Sequence, residues 1–345
     1  MEYLFTRNPM LRSLTFKTVG DFRTNLLNTA SLFNIATGFI SSDSIVELKR
    51  LLEIRNGDLD INLFIGMNYL EGFTELQYNT LSGLNDYLST NKVGNIYLSP
   101  KALYHGKMYS FSDSAGNCLG GFIGSSNLGS FMGTTQNNIE ADVFLQGDNA
   151  TAIDHNISAI IQDLGIKFSN TLPPKEFLSP ETDLLKGLEF VNKLTDDEFT
   201  QSISKLTDER VEIPLKTEGK SNLNTYFGAG KTPGRYSPRS WYEVELILSK
   251  KTPNVDLLPD KEAGPFRVIT PNHYSFLCER QGDYSKNLRS SKDLRILGKW
   301  IKGEMENKGV LKCGEKVTQS TLYAFGKSKI VFQKTSDGSW LINLE

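Results

Sequence analysis

The 345-residue sequence is poor in the residues that staple, anchor or metallate a chain. Its three cysteines, Cys118, Cys278 and Cys313, are far apart and never form a Cys-x-x-Cys pair, which excludes a disulfide framework and a cysteine zinc site. No uninterrupted run of about 18 apolar residues occurs, and the start of the chain lacks a basic segment followed by a long apolar one. Neither a membrane partner nor secretion is therefore expected, and a reducing cytoplasm is the expected location. Histidine is equally scarce: His105, His155 and His273 are the only candidates for imidazole chemistry, and no metal cluster stands out.

What the chain does have is unevenly distributed. The net charge of −2 conceals a deficit of 9 positive charges up to Thr200 and an excess of 7 from Gln201 onward. Trp241, Trp300 and Trp340 all lie in the basic part. Two domains of different character follow from this, and a basic domain suits a polyanion such as double-stranded DNA. A chance excess of lysines on a solvated face gives the same count.

Residues 1–170 alternate strand-like and helical runs. Strands are expected at Phe33–Ile40, Ile61–Gly66, Gly94–Leu98, Tyr104–Phe111, Leu119–Ile123 and Glu140–Leu145. Helices are expected after the cap at Ser41-Ser42-Asp43, at Phe73–Leu88 and at Thr151–Leu164. This is the rhythm of an α/β domain. Residues 171–208 read as an acidic connector, in which Leu184–Leu194 fits a short helix. Residues 209–345 are strand-rich, with runs such as Trp241–Leu248, Phe266–Ile269 and Lys329–Gln333, and one helix around Leu294–Met305. A mostly-β domain of barrel type is expected there.

In Leu103-Tyr104-His105-Gly106-Lys107, residues two apart on a strand face the same way, so His105 and Lys107 would project side by side. An imidazole nucleophile needs a cation for the anionic oxygens it generates, and a lysine supplies one. Taken alone, His-x-Lys also fits a partly exposed histidine on an edge strand. Farther on, Gly124-Ser125-Ser126-Asn127 ends an apolar strand with hydroxyls, an amide and backbone N–H groups, where a phosphate oxygen can bind. Glu140 opens the next strand, where a carboxylate can fix an imidazole tautomer or merely face solvent.

His105-x-Lys107, Gly124-Ser125-Ser126-Asn127 and Glu140, in that order, resemble the phospholipase D superfamily motif, and more narrowly the nuclease domain of NgoFVII-type restriction endonucleases. Where the superfamily often has Asp five residues after the lysine, this chain has Ser112, with Asp113 next. The later part is similar to the same enzymes: Val211-x-Ile213-Pro214-Leu215, Gly219-x-Ser221-x-Leu223-Asn224, Phe266-x-Val268-Ile269-Thr270-Pro271 and Tyr323-x-Phe325-Gly326 resemble their DNA-recognition domain. That domain is similar to the plant B-three pseudobarrel, whose two arms embrace the major groove.

The resemblance implies an α/β phospholipase D-like nuclease domain followed by a mostly-β, B-three-like DNA-binding domain. It implies a type II-like endonuclease of a restriction-modification system that needs neither cofactor nor metal. His105 would form a covalent phosphohistidine, Lys107 and Asn127 would stabilise the phosphorane oxygens, Glu140 would hold the imidazole, and Ser125 and Ser126 would support them. The reaction uses two His–Lys pairs and the chain holds one, so a homodimer through the nuclease domain, with one composite active site, is expected. Lys220, Asn222, Asn224, Arg235 and Arg239 in one arm, and Arg280, Gln281, Lys286 and Arg289 in the other, are the DNA-binding candidates. Arg bonds guanine edges and Asn or Gln bonds adenine edges, while lysines mostly contact phosphates. Cutting unaided and cutting with a separate ATP-dependent motor subunit are both open on the sequence. The readings set against this one are a phospholipase D-type lipid phosphodiesterase or phosphatidyltransferase, and a dimeric DNA binder that does not cut.

Overall fold

The computed structural model describes residues 1–6, 17–134, 138–172, 176–178, 183–228, 235–249 and 251–345. They fall into two compact units. Met1–Pro180 and Gly230–Arg239 form the first, and Glu181–Ala229 with Ser240–Glu345 form the second.

In the first unit the chain runs β1 (Glu2–Phe5), β2 (Lys17–Thr18), α1 (Val19–Thr29), β3 (Leu32–Thr37), α2 (Ser42–Arg55) and β4 (Asp60–Ile65). There follow α3 (Asn68–Glu71), β5 (Phe73–Thr74), α4 (Glu75–Asn91), β6 (Gly94–Leu98), β7 (Met108–Ser112) and β8 (Cys118–Gly124). The last elements are α5 (Leu128–Met132), β9 (Ala141–Leu145), α6 (Asp148–Leu164), β10 (Ile166–Lys167) and β11 (Phe177–Leu178). A nine-stranded mixed sheet in the order β10-β6-β4-β3-β7-β8-β9-β1-β2 is the centre of this unit. β3, β4 and β6 are parallel, whereas β7, β8 and β9 run antiparallel to their neighbours. The central strands are apolar on both faces because both are covered. Phe33 and Ile35 of β3 join one core cluster, while Ala36 joins a second with Ile153 and Ile157 of α6. The serine cap expected before α2 is present: Ser41 accepts from the Ser44 N–H and Ser44 returns the bond.

One expectation is corrected here. The strand read from Tyr104 begins only at Met108. The Tyr104 N–H bonds Gly66 O at the end of β4, which holds residues 103–107 outside the ladder. Gly66 must lack a side chain, since a Cβ there would lie 2.1 Å from Tyr104 O.

The second unit comprises β12 (Asn192–Lys193), α7 (Asp196–Ile203), β13 (Leu206–Pro214), β14 (Leu246–Ile247), β15 (Phe266–Ile269), β16 (Tyr274–Gln281) and β17 (Asn287–Ser290). Then come α8 (Ile296–Asn307), α9 (Gln319–Phe325), β18 (Lys329–Thr335) and β19 (Trp340–Leu344). Its curled sheet has the order β13-β18-β19-β15-β16-β17-β14, with β12 added on β16, and every pairing but β15–β19 is antiparallel. No helix forms over Leu184–Leu194, where Gly187 sits at φ 71° and Asn192–Lys193 pairs with β16 instead. The helix falls next to it at Asp196–Ile203. Thr195 and Glu198 cap it reciprocally, and Asp196, Asp197 and Glu198 fill the turn where the helix dipole favours negative charge. The run Trp241–Leu248 contributes a strand only at its end, because residues 240–243 form a turn and the Trp241 indole N–H is engaged by Glu315 O at 3.0 Å.

Candidate active site

Sheet register brings four strand ends together. Ala36 of β3 lies opposite Met108 of β7, Met108 opposite Ile123 of β8, and Gly124 opposite Asp142 of β9. The segments that leave or enter these ends carry Thr37, Lys107, Ser125-Ser126-Asn127 and Glu140. Three of the expected catalytic residues are thus neighbours although more than thirty positions separate the first from the last.

His105 is exposed on the extended approach to β7, and buried Lys107 reaches back to it. The Lys107 ammonium lies 3.0 Å from His105 Nδ1 and 3.2 Å from Nε2, and it also bonds the His105 carbonyl. Burial lowers the Lys107 pKa, and the negative charge of Glu140 works against that shift. A weakly solvated ammonium beside an imidazole can serve oxygens that become anionic when the imidazole attacks.

Asn127 is the N-cap of α5, but its side chain does not cap it. Its Oδ1 accepts instead from the Phe39 N–H at 3.1 Å and from Thr37 Oγ1 at 3.5 Å, and Thr37 Oγ1 in turn accepts from the Leu128 N–H. Fixing the amide oxygen fixes which way the NH₂ points, and among the described residues Asn127 Nδ2 has no partner. The Phe39 ring meets the His105 ring edge-on, with centroids 5.8 Å apart. One residue therefore touches both the expected nucleophile and the expected oxyanion donor.

The expected supporting residues are bonded to one another and to the turn. Glu140 does not bond His105: it takes the Ser125 hydroxyl at 2.5 Å and the Asn138 amide at 3.4 Å, and it acts on Lys107 through its charge. Ser125 is exposed, and its hydroxyl also accepts from the Ala141 N–H. Ser126 is fully buried, its hydroxyl and N–H both given to Asp142 and its carbonyl bonded by Tyr109 Oη at 2.6 Å. It shapes the turn from inside. Gly124 is confined as well, since a Cβ there would lie 2.2 Å from Asp142 Oδ1. Sequence pattern does not single out Thr37, Phe39 or Asp142. Thr37 and Phe39 lie some ninety positions from Asn127, and only the pairing of the sheet carries that information. Burial raises the Asp142 pKa.

Of the other histidines, His155 is exposed on α6, and His273, in the second unit, pairs with Asp196 at 3.1 Å and stacks on Phe199.

The DNA-binding candidates separate into two groups. Asn222, Asn224 and Arg280 are at most 6% exposed and hydrogen-bonded within the second unit. Asn222 joins Glu218 and the Ile247 N–H, and Asn224 makes paired bonds with Val317. Arg280 braces the carbonyls of Ser285, Val255 and Leu258. In this arrangement, where a base-reading role was expected, their side chains brace loops. Arg235 and Arg239, expected in the first arm, instead flank buried Tyr236 in the first unit. Lys220 and Lys286 are exposed, Gln281 is half-buried, and half-buried Arg289 is paired with Glu279 at 3.2 Å.

Comparison with known proteins agrees with both units. Residues 18–170 match the model of the NgoFVII restriction endonuclease N-terminal PLD domain, and residues 201–336 match that of the NgoFVII C-terminal B3-like DNA-binding domain. Fold and site thus define a phospholipase D-like domain joined to a B3-like DNA-binding domain. The chain belongs to the NgoFVII restriction endonuclease family. No curated protein matches it significantly. Among solved structures it is similar to TrmBL2, an archaeal chromatin protein, at 14% identity and a TM-score of 0.29, covering 46% of this chain. It spans about half the length of that protein, 55%.

Proposed function

We propose that this family member is a sequence-specific endonuclease that cuts double-stranded DNA through a phosphohistidine at His105, without a metal. The observation that carries the proposal is the meeting of His105 with the Lys107 ammonium beside an Asn127 amide whose oxygen is tied down and whose NH₂ is free to donate. An imidazole nitrogen attacks phosphorus, the P–O bond to the leaving deoxyribose oxygen breaks, and that oxygen takes a proton. Water then cleaves the P–N bond and regenerates the imidazole. Lys107 and Asn127 donate to the non-bridging oxygens as their charge grows. Glu140 supports the site through Ser125 and through its charge on Lys107.

A second imidazole is required to protonate the leaving oxygen, and His155 and His273 stand in other surroundings. We therefore place it on a second copy of the chain, so that one homodimer has one composite site. The exposed Lys220 and Lys286 contact phosphates, with Gln281 and Arg289 as the remaining candidates for base edges. Whether a motor subunit is needed is read from the same experiment, digestion of a plasmid in EDTA by the purified protein. Discrete fragments with sequence-defined ends support unaided, metal-independent cutting. Gel-shifted but intact plasmid points to a motor partner or to a DNA binder that does not cut, and cleavage of phospholipid micelles with intact plasmid supports the lipid reading.

A further inference from the structure

The first unit contains a buried ionic cluster that the proposed chemistry does not use. Glu47 of α2 is completely buried. Its carboxylate accepts both arms of Arg50, at 2.8 and 3.0 Å, and also the Tyr236 hydroxyl at 2.7 Å and the Arg239 N–H at 3.1 Å. Asn28 of α1 clamps the Tyr236 backbone from the other side, giving its NH₂ to the carbonyl at 2.9 Å and taking the N–H at 2.8 Å. Arg50 adds a bond to Ser237 O at 2.6 Å and lies over the Tyr236 ring, with its guanidinium carbon 5.3 Å from the centroid. Tyr236 itself is 0% exposed. Residues 235–239 are thus gripped by a socket of matched donors and acceptors, although the chain on both sides of Gly230–Arg239 belongs to the other unit.

The socket lies on the helix that leads out of the active site. α2 starts at Ser42, directly after the Thr37–Ile40 turn, and Thr37 and Phe39 of that turn hold the Asn127 amide while the Phe39 ring packs on His105. Asn68 Oδ1 of α3 and Gln77 Nε2 of α4 also hold Ile40, so the turn is fixed jointly by α2, α3 and α4. Buried Arg23 of α1 bonds the carbonyl of Phe131, in α5, the helix that Asn127 begins. The turn runs directly into α2, and the helix that Asn127 begins is bonded to α1; α1 and α2 are the helices that grip residues 235–239.

We infer that Tyr236 is a positioning residue for the His105 site: residues 235–239 clamp α1 and α2, and the clamp sets the Phe39 contact that aims the Asn127 amide. This deepens the proposed nuclease function and rests on it. It also gives the Tyr236 segment a role other than reading DNA. The link runs Tyr236, Glu47, α2, Phe39, Asn127, with each step a bond or a continuous stretch of chain.

The test compares the full-length protein with Tyr236→Phe, which removes only the hydroxyl, and Asn28→Ala, which removes the backbone clamp. Amide hydrogen exchange over residues 37–44 and 127–132, the single-turnover cutting rate at saturating DNA and DNA affinity are measured for each. The expected result is faster exchange at both segments, a cutting rate about tenfold lower, and unchanged affinity. Exchange confined to residues 235–239, or a wild-type cutting rate in both variants, overturns the inference. A wild-type protein that cuts no DNA counts against unaided cutting separately, and the exchange data then still decide whether the clamp reaches Asn127.

Discussion

The two units spend their polar side chains in opposite ways. At the His105 end of the first sheet, buried polar groups such as Thr37, Ser126 and Asp142 are bonded within the frame, beside an Asn127 NH₂ without a partner among the described residues and an exposed His105. In the second unit, three of the residues best suited by type to read bases, Asn222, Asn224 and Arg280, are consumed in fixing loops. A catalytic site needs fixed donors aimed at one point, so its rigid frame and its reactive groups are adjacent in space. A recognition loop needs internal bracing first, and Arg and Asn are the side chains that best satisfy backbone carbonyls and N–H groups. Residue type alone does not separate the two uses.

Substitutions should sharpen that contrast. The largest effect belongs to His105→Ala, which removes the proposed nucleophile. Cutting should fall by about four orders of magnitude or more while gel-shift affinity for DNA stays near wild type. Asn127→Ala should cost about a hundredfold in single-turnover rate, the scale of one lost oxyanion donor. Thr37→Val, which keeps the shape but loses the hydroxyl, should give a smaller loss of the same kind.

Arg280→Met should act on stability. It strands the carbonyls of Ser285, Val255 and Leu258, and denaturant unfolding should show a loss of about 2–4 kcal/mol. Lys286→Ala, on the exposed surface, should leave the unfolding midpoint unchanged and weaken DNA binding about threefold to tenfold, with a reduced salt dependence. If Arg280→Met instead changes the preferred DNA sequence at full stability, the contrast between the two units fails.

The smallest effect concerns pH. Burial lowers the Lys107 pKa, so the charge proposed to serve the phosphate is lost at lower pH than for an exposed lysine. The alkaline limb of the rate profile should lie correspondingly low. Glu140 favours the charged form, so Glu140→Gln should move that limb farther toward neutrality. A limb that stays in place would mean that Glu140 acts through Ser125 alone.

Much of this architecture is legible in the sequence. Most strands of the α/β unit and the Ser41 cap follow from local period and spacing, and the order of the motifs carries the family, whereas His105 and Lys107 meet outside the strand whose period suggested the pair. Local signals do not show that Phe39 reaches Asn127, because that contact depends on the pairing of β3 with β7. Nor do they show that Glu140 faces Ser125, or that Tyr236 leaves its neighbours for a socket on α1 and α2. The acidic stretch at Asp196–Glu198 reads as a connector when charge is weighed without its position. The same three acids directly after Thr195 are a helix start.

The most direct test of the central claim is to quench a single turnover on end-labelled DNA and digest the protein for mass spectrometry. The account predicts a DNA-linked peptide containing His105, labile to acid and stable to alkali, as a P–N bond on imidazole should be, and absent from His105→Ala. Cut DNA with no such adduct, or an adduct that persists in His105→Ala, would contradict it.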